Sequence, residues 1–553
     1  MTQQTLKGCR ILELSTTLAT SFAADLLRQQ GAYVEKVCLH QTFFCDAQKE
    51  LTSSIAKSEW DIVLTDDLQW KSACFPQAVT VFIDFQAFQT GDERELQVKA
   101  GWLKKSEQES SPSIAIGGFP ASLLVAAHIA FLTVCQLLEG RRNSTVVVHV
   151  ASILASALHG RLFTMEEQEI VPMMLVPTAD GQLFIGAPSD EQWAFLTSWA
   201  ELDVPPCPTQ SERRLQKSAI NKALSNWSAS QLRQELMMLG QTFRLPFASV
   251  QSHEEVLKCP QHKSRGFIQQ QRIIRSPWMM SKGLAANQSF SFTSFKELQI
   301  VDFTAMWAGP YCTRLFADLG ATVIKIEAPH RPDGVRGQSG STPFFEELNR
   351  NKQSVVLDLN TEEDKEILLK LVEGSHIVVN NFSPRVMGNF GLTDDVLQRH
   401  NASIIHAALS AFGQTGPYRD YVGYGSTLES MGGIVAQTVD HTGTPVLPLF
   451  SISDMTAGVM GALAIALALY DQTTTNAAYK IDVSQYEVAT MIASVPYEHT
   501  AVQPVILCDD NIIEETPNWW QAEEETIRRV RAPYFGEHTA YYKTNYANEK
   551  RDG

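Results

Sequence analysis

Two segments in the second half of this 553-residue chain concentrate polar groups in a pattern suited to holding a ligand: NRNKQSVVLDL (Asn349–Leu359) and VVNNFSPRVMGNFGL (Val378–Leu392). In the second of these, an apolar run ends in Asn380, Asn381 and Phe382 and turns through Pro384. If that run is a strand of a parallel sheet, its carboxyl end presents an amide pair and an aromatic ring where open α/β sheets bind ligands, and the chemistry is that of a nucleotide site. The same residues also suit a plain turn, with Asn381 and Pro384 as punctuation and Phe382 in the core. Motif scans elsewhere narrow the choice. No G-x-G-x-x-G follows a strand, no Walker loop or G-x-S-x-G elbow occurs, and none of the 13 histidines falls in H-E-x-x-H. Nicotinamide, ATP and zinc-hydrolase chemistry therefore lose their usual support.

The elements that must position these residues are visible as a repeat. LKGCRILELSTTLATSFAADLLRQQGAYVEKV from Leu6 aligns without a gap to FKELQIVDFTAMWAGPYCTRLFADLGATVIKI from Phe295, an offset of 289 positions. Each copy has a β-rich run (Ile11–Leu14, Ile300–Phe303), a helical stretch, a glycine (Gly31, Gly320) where a left-handed cap is expected, and a second β-rich run. That is a βαβ unit, and it predicts a parallel sheet with helices on its faces. The register continues through AFQTG (Ala87–Gly91) against AFGQTG (Ala411–Gly416), and VVVHVASILASAL against KIDVSQYEVATMI. Leu6 and Phe88 are 82 positions apart whereas Phe295 and Phe412 are 117 apart, so the first copy is 35 residues short.

Length and composition fit this reading. A chain of this size exceeds a single core, and 44% hydrophobic against 19% charged residues excludes global disorder. A formal net charge of −16 argues against a nucleic-acid binder. Nine cysteines without a C-x-x-C pair suggest dispersed reduced thiols, with neither a disulfide framework nor a zinc site. The stretch Ile114–Leu138 carries no Asp, Glu, Lys or Arg and is long enough to be weighed as a membrane span. Gly117, Gly118, Pro120, His128 and Gln136 favour a buried helix instead, as does a shorter counterpart, Met455–Tyr470, bracketed by Asp454 and Asp471. The N-terminus shows no export signal, and the expected setting is cytoplasmic, with no membrane partner.

Taken together, IVDFT…AGP…LFADLGATVIKIE, NRNKQSVVLDL, NFSPRVM..FGL, AFGQTGPY, DMTAG, IDVSQYE and the late GEHT resemble the family III (CaiB/BaiF) CoA-transferases, a group that includes formyl-CoA and carnitine CoA-transferases and the 2-methylacyl-CoA racemases. The resemblance covers nearly all of Phe295–Thr539; PTADGQLFIGAPSDEQW and RLPFASVQSHEEVLKCPQHKSRGF look like the family's small domain. It implies an α/β fold of tandem Rossmann-like doubly wound sheets with one smaller α+β domain, similar to an interlocked dimer of the family in one chain. The expected domains are a degenerate large domain (1–160), the small domain (161–275), a linker (276–294), an intact large CoA-binding domain (295–500) and a tail (501–553). Within that tail the acidic stretch Glu514–Glu525 reads as solvated linker and helix.

The resemblance also carries roles. It points to acyl-CoA:carboxylate CoA transfer, with CoA as substrate and no permanent cofactor. The nucleophile position after the V-D-V-S-like strand falls on Glu487, which would form a glutamyl anhydride and then a glutamyl-CoA thioester. The equivalent position in copy one is Leu154, which can do neither. For CoA itself the resemblance points to Ala305, Met306, Trp307 and Ala308, to Arg350 and Lys352 for phosphates, and to Asn381 and Phe382 for the base. The racemase branch implies Asp454 as an acid–base group, with Tyr424 where that branch has histidine; Asp454 also suits an N-cap. Three outcomes stay open: transfer, α-proton chemistry (racemase, isomerase or lyase) at Asp454, or a catalytically inactive CoA-binding protein. The identity of the acids and any further pairing of the fused chain stay open too.

Overall fold

The computed structural model describes residues 5–14, 17–36, 60–66, 77–85, 92–104, 113–141, 144–157, 169–285, 291–337, 340–494, 520–522 and 530–547. Near-continuous apolar runs make strands buried on both faces, as parallel sheets covered by helices require. In the first lobe these are β1 (Arg10–Leu14), β3 (Ile62–Thr65) and β4 (Val79–Asp84), flanked by the exposed edge strand β2 (Tyr33–Lys36) and the half-buried β5 (Ser144–His149). The small domain contributes β6 (Met173–Thr178), β7 (Gly181–Gly186) and β8 (Ala248–Ser249), an antiparallel sheet covered by helices, followed by the short pair β9 (Ile268–Gln269) and β10 (Arg272–Ile273). The second lobe holds β11 (Trp278–Ala285), β12 (Gln299–Asp302), β13 (Thr322–Glu327), β14 (Gln353–Val356), β15 (Ile377–Asn380), β16 (Ile405–Ser410) and β17 (Ala477–Ser484). A last strand, β18 (Trp520–Ala522), returns to the first lobe.

The two large sheets have matching order. The first runs β18-β5-β4-β3-β1-β2 and the second β11-β17-β16-β15-β12-β13-β14. In each, every pairing is parallel except at one edge, where β18 on β5 and β11 on β17 are antiparallel. Among the described residues β14 has no partner in the first sheet. The edge strands are exchanged: β11 follows the small domain and completes the second sheet, and β18 follows the second lobe and completes the first. Trp520–Ala522 is thus a strand, not the linker or helix expected of that stretch, because the edge of β5 offers it free ladder groups. The echo at Ala87–Gly91 lies outside the described residues. The glycine caps are as expected, with Gly31 at φ 95° and Gly320 at φ 101° closing helices Leu18–Gln29 and Ala308–Asp318.

Where the lobes meet, helix Pro120–Leu138 packs against helix Ile452–Thr475. Both are apolar all round, long enough to cross a membrane, and almost wholly enclosed by protein in this fold. His128 on the first helix bonds Tyr311 of the second lobe at 2.8 Å, and burial holds its pKa down at about 3, so it is neutral. A buried glutamate caps each helix. Glu93 accepts from the Ala121 and Ser122 amides at 2.9 and 2.8 Å, and Glu429 accepts from the Ser453 amide at 3.1 Å.

The small domain rests on the loop and helices after β16. Gln261 donates to the carbonyls of Phe412 and Thr415 at 2.7 and 2.8 Å, and Gln241 exchanges two bonds with Val422. The GEHT segment covers the edge of β14: the His538 amide donates to Ser354 O at 2.9 Å, and the Val356 amide donates to Thr539 Oγ1 at 2.9 Å. An otherwise open sheet edge is closed by a loop.

Candidate active site

At the carboxyl end of β12 the chain turns sharply before helix Ala308–Asp318, and three side chains hold that turn. The Ala305 amide donates to Asn381 Oδ1 at 3.0 Å, and Asn381 Nδ2 donates back to the Ala305 carbonyl at 2.7 Å. Met306 lies in the left-handed region (φ 70°), uncommon for a residue with a side chain, and its amide is fixed by Asp333 Oδ1 at 3.0 Å. Half-buried Trp307 sets its ring edge-to-face on Phe344, 4.9 Å between centroids, and Ala308 is buried. Asn381 and Phe382 follow β15 on the neighbouring strand end, both half-buried, with Asn380 turned inward to His406. The loop Ala305–Ala308, Asn381 and Phe382 are therefore together on the carboxyl edge of the sheet.

Arg350 and Lys352 are not on that surface, which corrects the expectation that they meet phosphates. Arg350 is buried and grips Asp318 through two bonds of 3.0 and 2.7 Å, with Glu347 at 2.7 Å. Burial opposes its charge, but these carboxylates outweigh it and raise its pKa. Lys352 Nζ is enclosed by Asp302 Oδ2, the Pro310 carbonyl and Asn349 Oδ1 at 3.1, 2.9 and 3.0 Å. Burial lowers its pKa to about 8, Asp302 opposing. With its three donors used, the ammonium ties β12, the helix after it and the approach to β14 into one unit.

Glu487 departs from expectation more sharply. It stands in the first turn of helix Gln485–Ala493 and is 0% exposed. Its Oε1 accepts from Arg265 Nε at 2.6 Å and Arg275 at 2.8 Å, and its Oε2 accepts from Arg275 at 2.9 Å. Arg265 also donates to Asp482 Oδ2 at 2.7 Å. Both guanidinium groups come from the end of the small domain. The carboxylate faces inward with both oxygens taken by these guanidinium groups, and so ties the small domain to the second lobe. Leu154, at the matching place in the first lobe, is fully buried.

Asp454 has the opposite surroundings. It lies in the first turn of helix Ile452–Thr475, whose N-cap is Ser451, so it is not itself the cap. The residue is half-buried, and burial of its carboxyl raises the pKa to about 6, against a bond from Ser451. Gly425, at the start of helix Gly425–Met431, lies directly against it: a Cβ built there would come within 1.6 Å of Ser451 Oγ and 2.5 Å of Asp454 Oδ2. Tyr424, 37% exposed, precedes that glycine. One helical turn beyond Asp454, Gly458 abuts the Ala308 carbonyl, 2.6 Å from a built Cβ, and Gly461 follows against Leu409 and Cys312. These close approaches draw Asp454 to the same sheet edge as the loop Ala305–Ala308 and Tyr424.

Several site residues escape sequence reasoning. Glu429, fully buried, accepts from Ser451 Oγ and Ser453 Oγ, both at 3.0 Å, and burial raises its pKa to about 7. Nothing in G-S-T-L-E-S-M marks it. Arg265 and Arg275 lie more than 200 positions from Glu487 and show no pattern linking them to it. One signal does exist: Ser484-x-x-Glu487 has the spacing of a helix start, and Ser484 Oγ accepts the Glu487 amide at 3.4 Å.

A family model described as CoA-transferase family III matches residues 144–287 and 295–511. The chain is 36% identical over 207 residues to succinyl-CoA–D-citramalate CoA-transferase of Chloroflexus aurantiacus, covering 36% of this chain and 52% of that protein. It is likewise 36% identical over 198 residues to acetyl-CoA:oxalate CoA-transferase of Acetobacter aceti, covering 35% and 51%. Among solved structures, a CAIB/BAIF family protein from Brucella suis aligns at 29% identity and a TM-score of 0.35, over 36% of this chain and 55% of that one. The chain thus spans about half the length of the curated relatives it matches.

Proposed function

Because the chain belongs to CoA-transferase family III, we propose that it moves coenzyme A from an acyl-CoA to a second carboxylic acid, with Asp454 rather than Glu487 as the covalent carboxylate. The observation that carries this reading is the contrast between the two groups: Glu487 is sealed by two arginines, while half-buried Asp454 lies against Gly425 and Ser451, one helical turn before the glycine that abuts the Ala308 carbonyl.

The steps balance without an outside reagent. Asp454 attacks the thioester carbonyl and expels the CoA thiolate, leaving an aspartyl–acyl anhydride. The thiolate attacks the aspartyl carbonyl and releases the donor acid, leaving an aspartyl-CoA thioester. The acceptor carboxylate attacks that thioester to form a new anhydride, and the thiolate then takes the acceptor acyl group and frees Asp454. Covalent catalysis of this kind divides one difficult exchange into easier ones. A pKa near 6 leaves Asp454 mostly ionised at neutral pH, as a nucleophile needs. Ala305–Ala308, Asn381, Phe382 and Tyr424 would line the CoA side.

Each chain would hold one such site. The first turn of helix Pro120–Leu138 has no acidic residue, and the small domain seen among the described residues is bolted to the second lobe through Glu487. Exchange of an α-proton at Asp454 is the rival reading. Burial raises the pKa of its would-be partner Tyr424 further above neutrality, which leaves that residue a poor base. Incubation with acyl-CoA and hydroxylamine, followed by peptide mass mapping, should place a hydroxamate on Asp454. Deuterium incorporation at the α-carbon without that adduct would select the proton-exchange reading. CoA binding with neither would mean an inactive protein.

A further inference from the structure

Glu429 approaches the reacting carboxylate from the far side of Ser451. Ser451 Oγ lies 3.0 Å from Glu429 Oε1, and Asp454 Oδ2 borders the same space beside Gly425, close enough to draw on that hydroxyl. A hydroxyl has a single proton to donate, so it cannot serve two carboxylate anions at once. Two carboxylates joined in this way, both withdrawn from water, disfavour double ionisation and titrate as a unit. The absent side chain of Gly425 leaves the space into which Ser451 Oγ and Asp454 Oδ2 both project. The first lobe supplies an internal control: Glu93 caps its helix as Glu429 does, but no acidic residue follows in that helix's first turn.

We propose that Glu429 is a positioning residue for the transfer reaction, sharing one proton with Asp454 through Ser451 and so setting the pH at which Asp454 becomes an available anion. This rests on the reading of Asp454 as the covalent carboxylate. The shifts agree in direction: burial raises both groups, to about 7 for Glu429 and about 6 for Asp454, and the Asp454 charge raises Glu429 further.

The other titratable or charged groups on the surrounding elements are engaged elsewhere. Glu487 on helix Gln485–Ala493 is held by Arg265 and Arg275; His128 pairs with the Leu124 carbonyl and Tyr311; Arg314 pairs with Glu347. Glu93 takes the Ala121 and Ser122 amides, Lys104 donates to the Leu447 carbonyl, and Arg331 acts on Tyr424.

The test is the pH dependence of adduct formation at Asp454, measured with acyl-CoA and hydroxylamine on the full chain. The unaltered protein should show an acid limb near pH 6. At pH 5 Glu429 is protonated, so Glu429→Gln should leave the low-pH arm in place; between pH 6 and 7 it removes the charge that competes with Asp454 and should bring the rate to its plateau about half a unit earlier. Ser451→Ala removes a bond that favours the Asp454 anion and should move the limb up. A purely structural role would lower the plateau and leave the shape of the profile unchanged. If Glu429→Gln does not fold, as judged by its thermal transition, Ser451→Ala alone decides. An unchanged profile, or one changed in the opposite sense, overturns the inference. An adduct on some residue other than Asp454 would instead overturn the function on which it rests.

Discussion

Two acidic side chains in first helical turns, Asp454 and Glu487, share a lobe and have opposite fates because of what reaches them. Three bonds from two guanidinium groups close off Glu487, whereas Asp454 meets a glycine and a serine. Their substitutions should separate cleanly. Asp454→Asn should abolish adduct formation and lower turnover by on the order of 1000-fold or more, with the thermal midpoint little changed. Glu487→Gln leaves Arg275 without its counter-charge and Arg265 with Asp482 alone, and should cost about 3–5 kcal/mol in unfolding free energy, read as a lower urea midpoint, while hydroxylamine still marks Asp454 in the folded fraction. At this scale the sequence is legible where a residue acts on nearby backbone, as with Ser484, which accepts the amide of Glu487 three positions on. It is illegible where burial decides: in the polar run containing Arg350 and Lys352 nothing shows that both cations turn inward to Asp318 and Asp302.

At the scale of elements, the central helices Pro120–Leu138 and Ile452–Thr475 each begin at a buried glutamate. Glu93 is enclosed, and burial raises its pKa to about 7 against the opposing pull of the amides it caps. A carboxyl raised in this way favours folding most when protonated. Its contribution is fully present below the unfolded value near 4.5 and is lost as pH rises through about 7. Glu93→Gln should therefore change stability unequally with pH: relative to the parent chain, the variant's unfolding free energy should improve between pH 5 and pH 8 by up to about 3 kcal/mol. Equal effects at both values would mean that Glu93 is ionised throughout. The βαβ units, their glycine caps and the burial of the apolar helices can all be read from periodicity. Strand Trp520–Ala522 cannot, since three residues in a polar stretch become a strand only because β5 presents an edge.

For the whole molecule, the controlling feature is closure of sheet edges by distant pieces of chain. β11 covers β17, β18 covers β5, and the segment before helix Thr539–Ala547 covers β14. A chain ended after residue 519 would lose two of these covers. It should elute as soluble aggregate in size-exclusion chromatography and bind thioflavin more strongly than the full chain; a monodisperse product would show that the exposed ladders are tolerated. The duplicated lobe pattern is legible because it repeats at a constant offset, but the path linking the lobes is not, since strand exchange depends on pairing across hundreds of positions.

That reciprocal lending of strands happens within a single polypeptide, so neither lobe has to find the other by diffusion. A tethered pair meets at the millimolar-range effective concentration typical of short linkers, whatever the number of molecules in the tube. Specific activity should accordingly hold constant on dilution to nanomolar protein, where an enzyme assembled from two separate chains would begin to fall apart.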